Sequence, residues 1–323
     1  MTSAIATTGL GSSIATSVIQ LFAVALGGPL LVGVMTKVRA RAEGRIGAPI
    51  HQPLRDLRKL VTKESIHAQH SSAVLAVAPF VLVATAAVAI AIAPLATTAP
   101  VLAHSADLFV IVFLLLMGSV ALALAGLDAG TAFGGMGSSR AMTIGALAEP
   151  ALLVSILALS IQAGTSNLPA IVSATLSHPS WAAGPERLLA LVAFVIVILA
   201  ETGRIPFDNP STHLELTMIH EAMVLEYAGP ELALINLGEA MRLGLLFSLA
   251  ANLFFPWGIA TSNSPIHVAI GVLVLGAKVI GIAVGVALLE VRTAKLRLFR
   301  VPELLSGGFV LAVLAVVTGV VTR

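Results

Sequence analysis

The chain has 323 residues, of which 58% are hydrophobic and 11% charged, with a formal net charge of +2. So apolar a composition excludes a mostly polar surface in water, and we expect an integral membrane protein. Because cysteine is absent, the chain cannot form disulfides, thiolate metal sites or cysteine-ligated iron–sulfur clusters, and we expect no cofactor in it.

Apolar stretches of about 20 residues, the length that crosses a bilayer, lie near 14–35, 73–93, 108–127, 144–161, 232–255, 268–289 and 304–321. A shorter apolar run, 188–200, is expected to extend toward residues 186 and 202. It would make an eighth span, which is the fifth in chain order. The first run is too long for a cleaved signal peptide, so we expect it to be retained. We therefore predict an all-α polytopic membrane protein of about eight transmembrane helices, with residues 1–323 in a single domain.

The first connection, about 37–70, contains an amphipathic segment. Leu54, Leu57 and Leu60 share one helical face, and basic residues occupy the rest. This pattern predicts an interfacial helix that lies in the membrane plane, although the same charges also suit a cluster that only sets topology.

Basic residues are distributed unevenly between the connections. Those that follow odd-numbered spans hold 14 of the 18 Lys and Arg residues, and the positive-inside rule places such connections in the cytoplasm. We therefore expect a multi-pass protein of a bacterial or archaeal cytoplasmic membrane with both termini outside. No basic stripe with interleaved aromatic residues is present, so nucleic acid is not expected as a partner.

Seven of the 16 carboxylates lie between residues 201 and 239, in and just after the predicted cytoplasmic connection of about 201–233. So much titratable charge between two spans indicates protons, ions or a docked partner. If 211–226 is helical, His213 and His220 share one face and Glu215 and Glu226 share another; a merely solvated acidic helix is the alternative. His220-Glu221 begins like a zinc-protease motif, but the second ligand is missing.

Four charged residues fall inside the seven longer apolar stretches: Glu149, Glu239, Arg242 and Lys278. Each would cost about 2.5–3.5 kcal/mol at a helix centre, so we expect them to face a wet interior. Glu239 and Arg242 share a helical face and are expected to pair. A static ion pair and a proton relay both remain open for these residues.

The segment 201–208, Glu-Thr-Gly-Arg-Ile-Pro-Phe-Asp, resembles the ETxRxPFD signature of the complex I subunit 1 family. Two further blocks agree: 44–49 with 52–54 and 63–64, and Ser139-Arg140 with Glu149. The resemblance covers essentially the whole chain. It implies eight spans, a long cytoplasmic connection between spans 5 and 6, and functional carboxylates at Glu215 and Glu226.

The stretch 208–227, DNPSTHLELTMIHEAMVLEY, is similar to homologues in hydrogenase-4 and formate hydrogenlyase, which are group 4 energy-converting nickel–iron hydrogenases. The resemblance implies a subunit of an oxidoreductase complex without its own redox centre, which anchors a soluble arm and links it to proton-translocating subunits. Its implied partners are hydrogenase large and small subunits, iron–sulfur subunits and antiporter-like membrane subunits. A quinone-site subunit of a complex I-type NADH:quinone oxidoreductase and a stand-alone ion transporter remain alternatives.

These observations give two groups of candidate residues, and no catalytic or metal-ligating residue is predicted. We expect Arg204 and Asp208 to pair with each other at the mouth of the fifth span, where they would serve docking together with Arg45 and Arg140. The candidates for proton coupling are Glu149, Glu201, Glu215, Glu221, Glu226, Glu239, Arg242, Lys278, His213 and His220.

Overall fold

The structure is a computed structural model that describes residues 2–66, 71–208, 218–296 and 300–321. The described residues form eleven α-helices and no strand. The helices are α1 (Thr2–Ala42), α2 (Gln52–Val61), α3 (Ala73–Ile92), α4 (Leu108–Asp128), α5 (Ala132–Ala163), α6 (Leu168–Ser177), α7 (Pro185–Glu201), α8 (His220–Val224), α9 (Gly229–Phe254), α10 (Pro265–Arg292) and α11 (Val301–Val321).

Seven helices in the described part of the chain are long and apolar enough to cross a membrane: α1, α3, α4, α5, α9, α10 and α11. The predicted all-α polytopic membrane fold is therefore confirmed. Helix α7 has 17 residues, or about 25 Å at the usual rise, and it packs between α5, α9 and α11. It corresponds to the expected eighth span, and the count of eight stays a prediction.

Helix α5 begins at Ala132, well before the apolar run from which we predicted its span. The Thr131 side chain accepts a hydrogen bond from the Gly134 amide and so caps the helix start. The glycine-rich stretch 134–139 is thus helical, because the cap and the following apolar turns outweigh the low helix propensity of glycine.

Helix α9 is the centre of the bundle, packed against α1, α2, α3, α7 and α10. Two cations hold its C-terminal end: Arg187 Nη2 donates to Leu253 O at 2.6 Å, and Lys278 Nζ donates to Phe255 O at 2.9 Å. Cations are favourable there because the last carbonyls of a helix carry partial negative charge. This end of α9 is therefore fixed from two neighbouring helices.

The connections collect at two opposite ends of the bundle. At one end, which we call the far end, Asn252 Nδ2 donates to Pro94 O at 3.0 Å, and the Thr97 hydroxyl donates to Asn263 Oδ1 at 3.1 Å. At the other end, Leu296 N donates to Pro206 O at 3.0 Å. We call this second end the acidic end, and it comprises the described parts of 43–66, 201–228 and 293–300. The most basic connections and the acidic segment thus share one end.

The amphipathic segment of the first connection forms α2, as its pattern predicts. None of its residues is buried, and its leucines are half-exposed while Arg55, Arg58 and Lys59 are exposed. The turn before α2 lies so close to α1 that a side chain on Gly33 would overlap the Ile50 carbonyl. The helix is therefore attached to the bundle at its start and along one face.

The natural absence of cysteine permits a direct test of topology. Thr62 lies at the acidic end, Thr261 lies at the far end, and both are exposed. We expect Thr62→Cys to react with a membrane-impermeant maleimide only from the cytoplasmic side and Thr261→Cys only from the outside, because most Lys and Arg residues lie at the acidic end. The unmodified chain is the control, and reaction of both cysteines from one side would contradict the topology.

Candidate functional site

The charged residues of α9 meet partners from three other helices. Arg242 Nη2 donates to Glu201 Oε2 at 3.0 Å and to Ser119 Oγ at 2.8 Å. Both side chains of the ion pair are buried, with exposures of 4% and 5%. The expected pairing of Arg242 with Glu239 is wrong, because the end of α7 packs against α9 and brings Glu201 to the guanidinium.

Glu239 instead pairs with His220 of α8, whose Nε2 lies 3.4 Å from Glu239 Oε2. Its other oxygen, Oε1, has no hydrogen-bond partner among the described residues. Burial lowers the pKa of His220, but the Glu239 carboxylate outweighs burial and raises the pKa above its usual value. Glu239 thus favours the charged form of His220.

Glu149 of α5 lies close to this cluster but does not join its bonds. It is 8% exposed, and its Oε1 has no hydrogen-bond partner in the described part of the chain. With Glu201, Arg242 and His220 it lines an inner pocket of about 40 Å³. One water molecule needs about 10–15 Å³ in this measure, so the pocket has room for bridging water.

A larger cavity of about 390 Å³ lies between α1, α2, α9 and the start of the acidic segment. Its wall combines apolar side chains such as Val32 and Leu57 with Arg39, Glu239 and Asp56. Both cavities are lined by Leu122, Gly203, Asp208 and His220. His220 therefore lies between the inner pocket and the larger cavity.

Helix α8 has only five residues and rests on glycines of α4 and α5. A Cβ on Gly137 would lie 2.8 Å from Ala222 Cβ and 2.9 Å from Ile219 O, and a Cβ on Gly126 would lie 3.3 Å from Met223. The glycines thus allow α8 to pack closely against α4 and α5, and this packing helps to position His220. This role of the glycines was not predicted from the sequence, although several glycines within a helical apolar run indicate close packing.

The predicted docking residues Arg204 and Asp208 lie in ion pairs inside the protein. Arg204 pairs with Glu290 at 3.7 Å and Asp208 with Lys295 at 3.6 Å, so the expected pairing of Arg204 with Asp208 is wrong. Burial lowers the pKa of Arg204, while Glu290 opposes the shift. These pairs form because the last turn of α10 and the connection after it lie against residues 204–208.

The other candidates are scattered. Arg45 is exposed and pairs with Glu43, whereas the Arg140 guanidinium is half-buried and donates to Met218 O at 3.2 Å. Glu221 lines the larger cavity, and Glu226, just after α8, is half-buried. His213 and Glu215 lie outside the described residues.

Lys278 lies away from the cluster, at the far end of α9. Its ammonium donates to Asn252 Oδ1 at 2.7 Å, Phe255 O at 2.9 Å and Trp257 O at 3.1 Å. These bonds use all its N–H donors, so its geometry is that of a cap on α9. Within the described ranges, no group of His, Asp or Glu residues is arranged to hold a metal ion.

Comparison with known proteins places this chain in a family. A family profile described as NADH dehydrogenase matches residues 15–322. The chain belongs to this family. It is 33% identical over 287 residues to hydrogenase-4 component C of Escherichia coli (strain K12), covering 89% of this chain and 90% of that protein. It is 30% identical over 299 residues to formate hydrogenlyase subunit 4 of the same strain, covering 92% and 95%.

One solved structure supports the same fold. A chain of the membrane-bound sulfane sulfur reductase, an archaeal respiratory membrane complex, superposes with a TM-score of 0.79 at 21% identity. The match covers 94% of our chain and 98% of the other. At this identity the likeness concerns the fold alone, and the expected family membership is confirmed by the profile and the sequence relatives.

The His220–Glu239 pair predicts a pH-dependent stability. Because the folded-state pKa of His220 is raised from 6.5, its stabilisation is complete below about pH 6.5 and is lost as pH rises through the raised value. We expect wild-type protein to exceed His220→Gln in Tm at low pH and this difference to shrink above pH 6.5. A difference in Tm that stays constant with pH would contradict the assignment.

Proposed function

We propose that the chain is the membrane-anchor and proton-coupling subunit of a complex I-like energy-converting nickel–iron hydrogenase. The observation that carries the proposal is the cluster His220, Glu239, Arg242, Glu201 and Glu149, in which the last three are buried and the first two half-buried. It joins α5, α7, α8 and α9 and contains unpartnered carboxylate oxygens beside a pocket with room for water. Such clusters are costly in a membrane protein and are characteristic of proton pathways.

The chemistry follows from the charges. Protonation of His220 makes it a cation 3.4 Å from Glu239 of α9. The new charge changes the electrostatic potential at Arg242, which lies one turn further along α9. Arg242 and Glu201 in turn act electrostatically on Glu149. A proton taken up at the larger cavity therefore alters the charge balance at Glu149, which is the coupling that the proposed subunit requires.

The type of complex rests on the relatives. Two relatives that carry the names of hydrogenase-4 and formate hydrogenlyase match about nine-tenths of our chain, and the stretch 208–227 is similar to that branch. Their names support a component of a multisubunit assembly over a stand-alone transporter. We propose that hydrogenase, iron–sulfur and antiporter-like subunits are its partners and hold the redox centres, since the chain has no cysteine.

Arg45 is the best-placed predicted docking residue for the soluble arm. Its side chain is 70% exposed at the acidic end and its partner Glu43 also lies at the surface, whereas the ion pairs of Arg204 and Asp208 lie inside the protein. An exposed guanidinium can pair bidentately with a carboxylate of an approaching subunit. We therefore place the docking contact on the connection around Arg45.

Replacing Glu149 with Gln tests the coupling role. The change keeps the size of the side chain and removes its titration, so we expect hydrogen-linked proton translocation to fall by about tenfold or more. The measurement uses the complex purified with its partners and reconstituted in vesicles, with the co-purifying subunits counted by mass spectrometry.

Glu303→Gln is the matched control, because Glu303 is an exposed carboxylate in the first turn of α11. We expect it to leave proton translocation and subunit composition unchanged. Wild-type translocation in Glu149→Gln would refute the coupling role, and a complex without a nickel–iron large subunit would refute the hydrogenase assignment.

The larger cavity supports a second candidate, a quinone site of the complex I type. Its volume of about 390 Å³ lies within the usual range for small-molecule sites, as does its mixture of apolar walls with a few charged groups. If the cavity binds quinone, decylubiquinone should raise the Tm of the complex in nanodiscs, because a ligand stabilises the folded state that binds it. The stabilisation is about 2.7 kcal/mol for a ligand at 100 times its Kd.

Val32 lines the cavity, so the larger side chain of Val32→Trp should occupy the space of the quinone and abolish that rise in Tm. Val18→Trp is the control, because Val18 lies on the same helix and is 45% exposed outside the cavity. An unchanged Tm in the wild type would remove the quinone candidate and leave the hydrogenase proposal intact.

A further inference from the structure

Helix α8 is too short to fix the direction of its own side chains. A helix of five residues closes hardly more than one turn, and nucleating a turn is unfavourable in isolation. The orientation of His220 toward Glu239 must therefore be imposed by contacts from outside the helix.

Two charged side chains make those contacts on the backbone just before α8. Asp208 Oδ2 accepts hydrogen bonds from the amides of Ile219 and His220, each at 3.2 Å. Arg140 Nη1 donates to the carbonyl of Met218 at 3.2 Å. The backbone that leads into α8 is thus held on both kinds of polar group. Asp208 binds two of its N–H groups, and Arg140 binds one of its carbonyls.

Asp208 is itself firmly placed. Its amide and that of Phe207 donate to Arg204 O in a tight turn at 3.2 and 2.8 Å. Its other oxygen, Oδ1, lies 3.6 Å from Lys295 Nζ, and the side chain is 5% exposed. A carboxylate so buried and bonded can serve as a fixed point for α8.

The geometry points to Asp208, with Arg140 opposite, as the positioning residue that holds the His220 imidazole between the two cavities and against Glu239. The consequence for turnover rests on the proposed function, but the mechanical part does not. Asp208 acts through its hydrogen bonds to the backbone and needs no contact with a transferred proton. It is the last residue of the segment 201–208, so the segment supplies both Glu201 for the cluster and the support for His220.

Hydrogen–deuterium exchange of the whole complex in nanodiscs tests the support directly. Hydrogen bonds to a charged acceptor contribute about 1.5–3 kcal/mol, which corresponds to about 10- to 100-fold in exchange. We expect Asp208→Ala to accelerate exchange of the Ile219 and His220 amides by that factor. Asp208→Asn should largely preserve their protection, because its carbonyl oxygen still accepts. Asp56→Ala is the control, since it removes a carboxylate from the wall of the same cavity without bonding α8.

A turnover measurement separates positioning from general destabilisation. If Asp208 acts through His220, Asp208→Ala should shift the pH profile of proton-coupled turnover in the wild type and have no further effect in His220→Gln. Besides Asp208 itself, the charged and titratable groups that face His220 or share its cavities are Glu239, Arg242, Glu201, Glu149, Arg204, Arg39, Asp56 and Glu221. All of them are unchanged in this comparison.

The outcomes are distinct. Unchanged exchange in Asp208→Ala, or additive losses in the double variant, would overturn the positioning role. If exchange and turnover behave as expected while Glu149→Gln translocates protons normally, the positioning role stands and the proposed path through Glu149 fails.

Discussion

The buried ion pair of Arg242 and Glu201 is the constraint on which the acidic end depends. Its two side chains are almost wholly removed from solvent, so loss of either partner would leave an uncompensated charge at a cost of about 3–5 kcal/mol. The pair fastens the last residue of α7 to the middle of α9. The segment 201–208 therefore starts from a fixed position, which allows Asp208 to meet residues 218–220 and Lys295 at the same time.

Charges of opposite sign alternate across the acidic end. Glu290 lies between Arg39 and Arg204, Asp208 faces Lys295, and Glu239 faces His220. No described residue makes an ion pair with Glu149, although it lines the same pocket as Glu201 and Arg242. The cluster is therefore balanced in pairs with one carboxylate beside it, an arrangement in which a single added proton changes the electrostatics of several helices.

The sequence predicted the spans well because hydropathy reports directly on membrane burial. Five of the residues singled out from the sequence, Glu149, Glu201, Glu239, Arg242 and His220, lie together in the structure, and their role in proton coupling stays a prediction. The sequence failed on partners: spacing along α9 suggested Glu239 for Arg242, whereas helix packing supplied Glu201. Contacts between distant segments, such as Arg204 with Glu290 or Gly137 with α8, depend on tertiary arrangement and leave no periodic signal in one sequence. Glu290 was not among the predicted site residues, because its partners Arg39 and Arg204 are distant in sequence.

Beyond Arg242, helix α9 continues to Phe254 without a titratable residue, and its serine, Ser248, bonds the helix's own Gly244 carbonyl. This stretch is almost completely buried in apolar side chains. The second half of α9 therefore has no titratable side chain of its own that could carry a proton. On the proposed function, a proton that moves within the cluster stays on one side of this apolar stretch and crosses only part of the membrane's electric field, whereas a full crossing would be worth about 2.3 kcal/mol per charge at 100 mV. The membrane voltage should consequently act on such a proton less strongly than on a charge that crosses the whole bilayer.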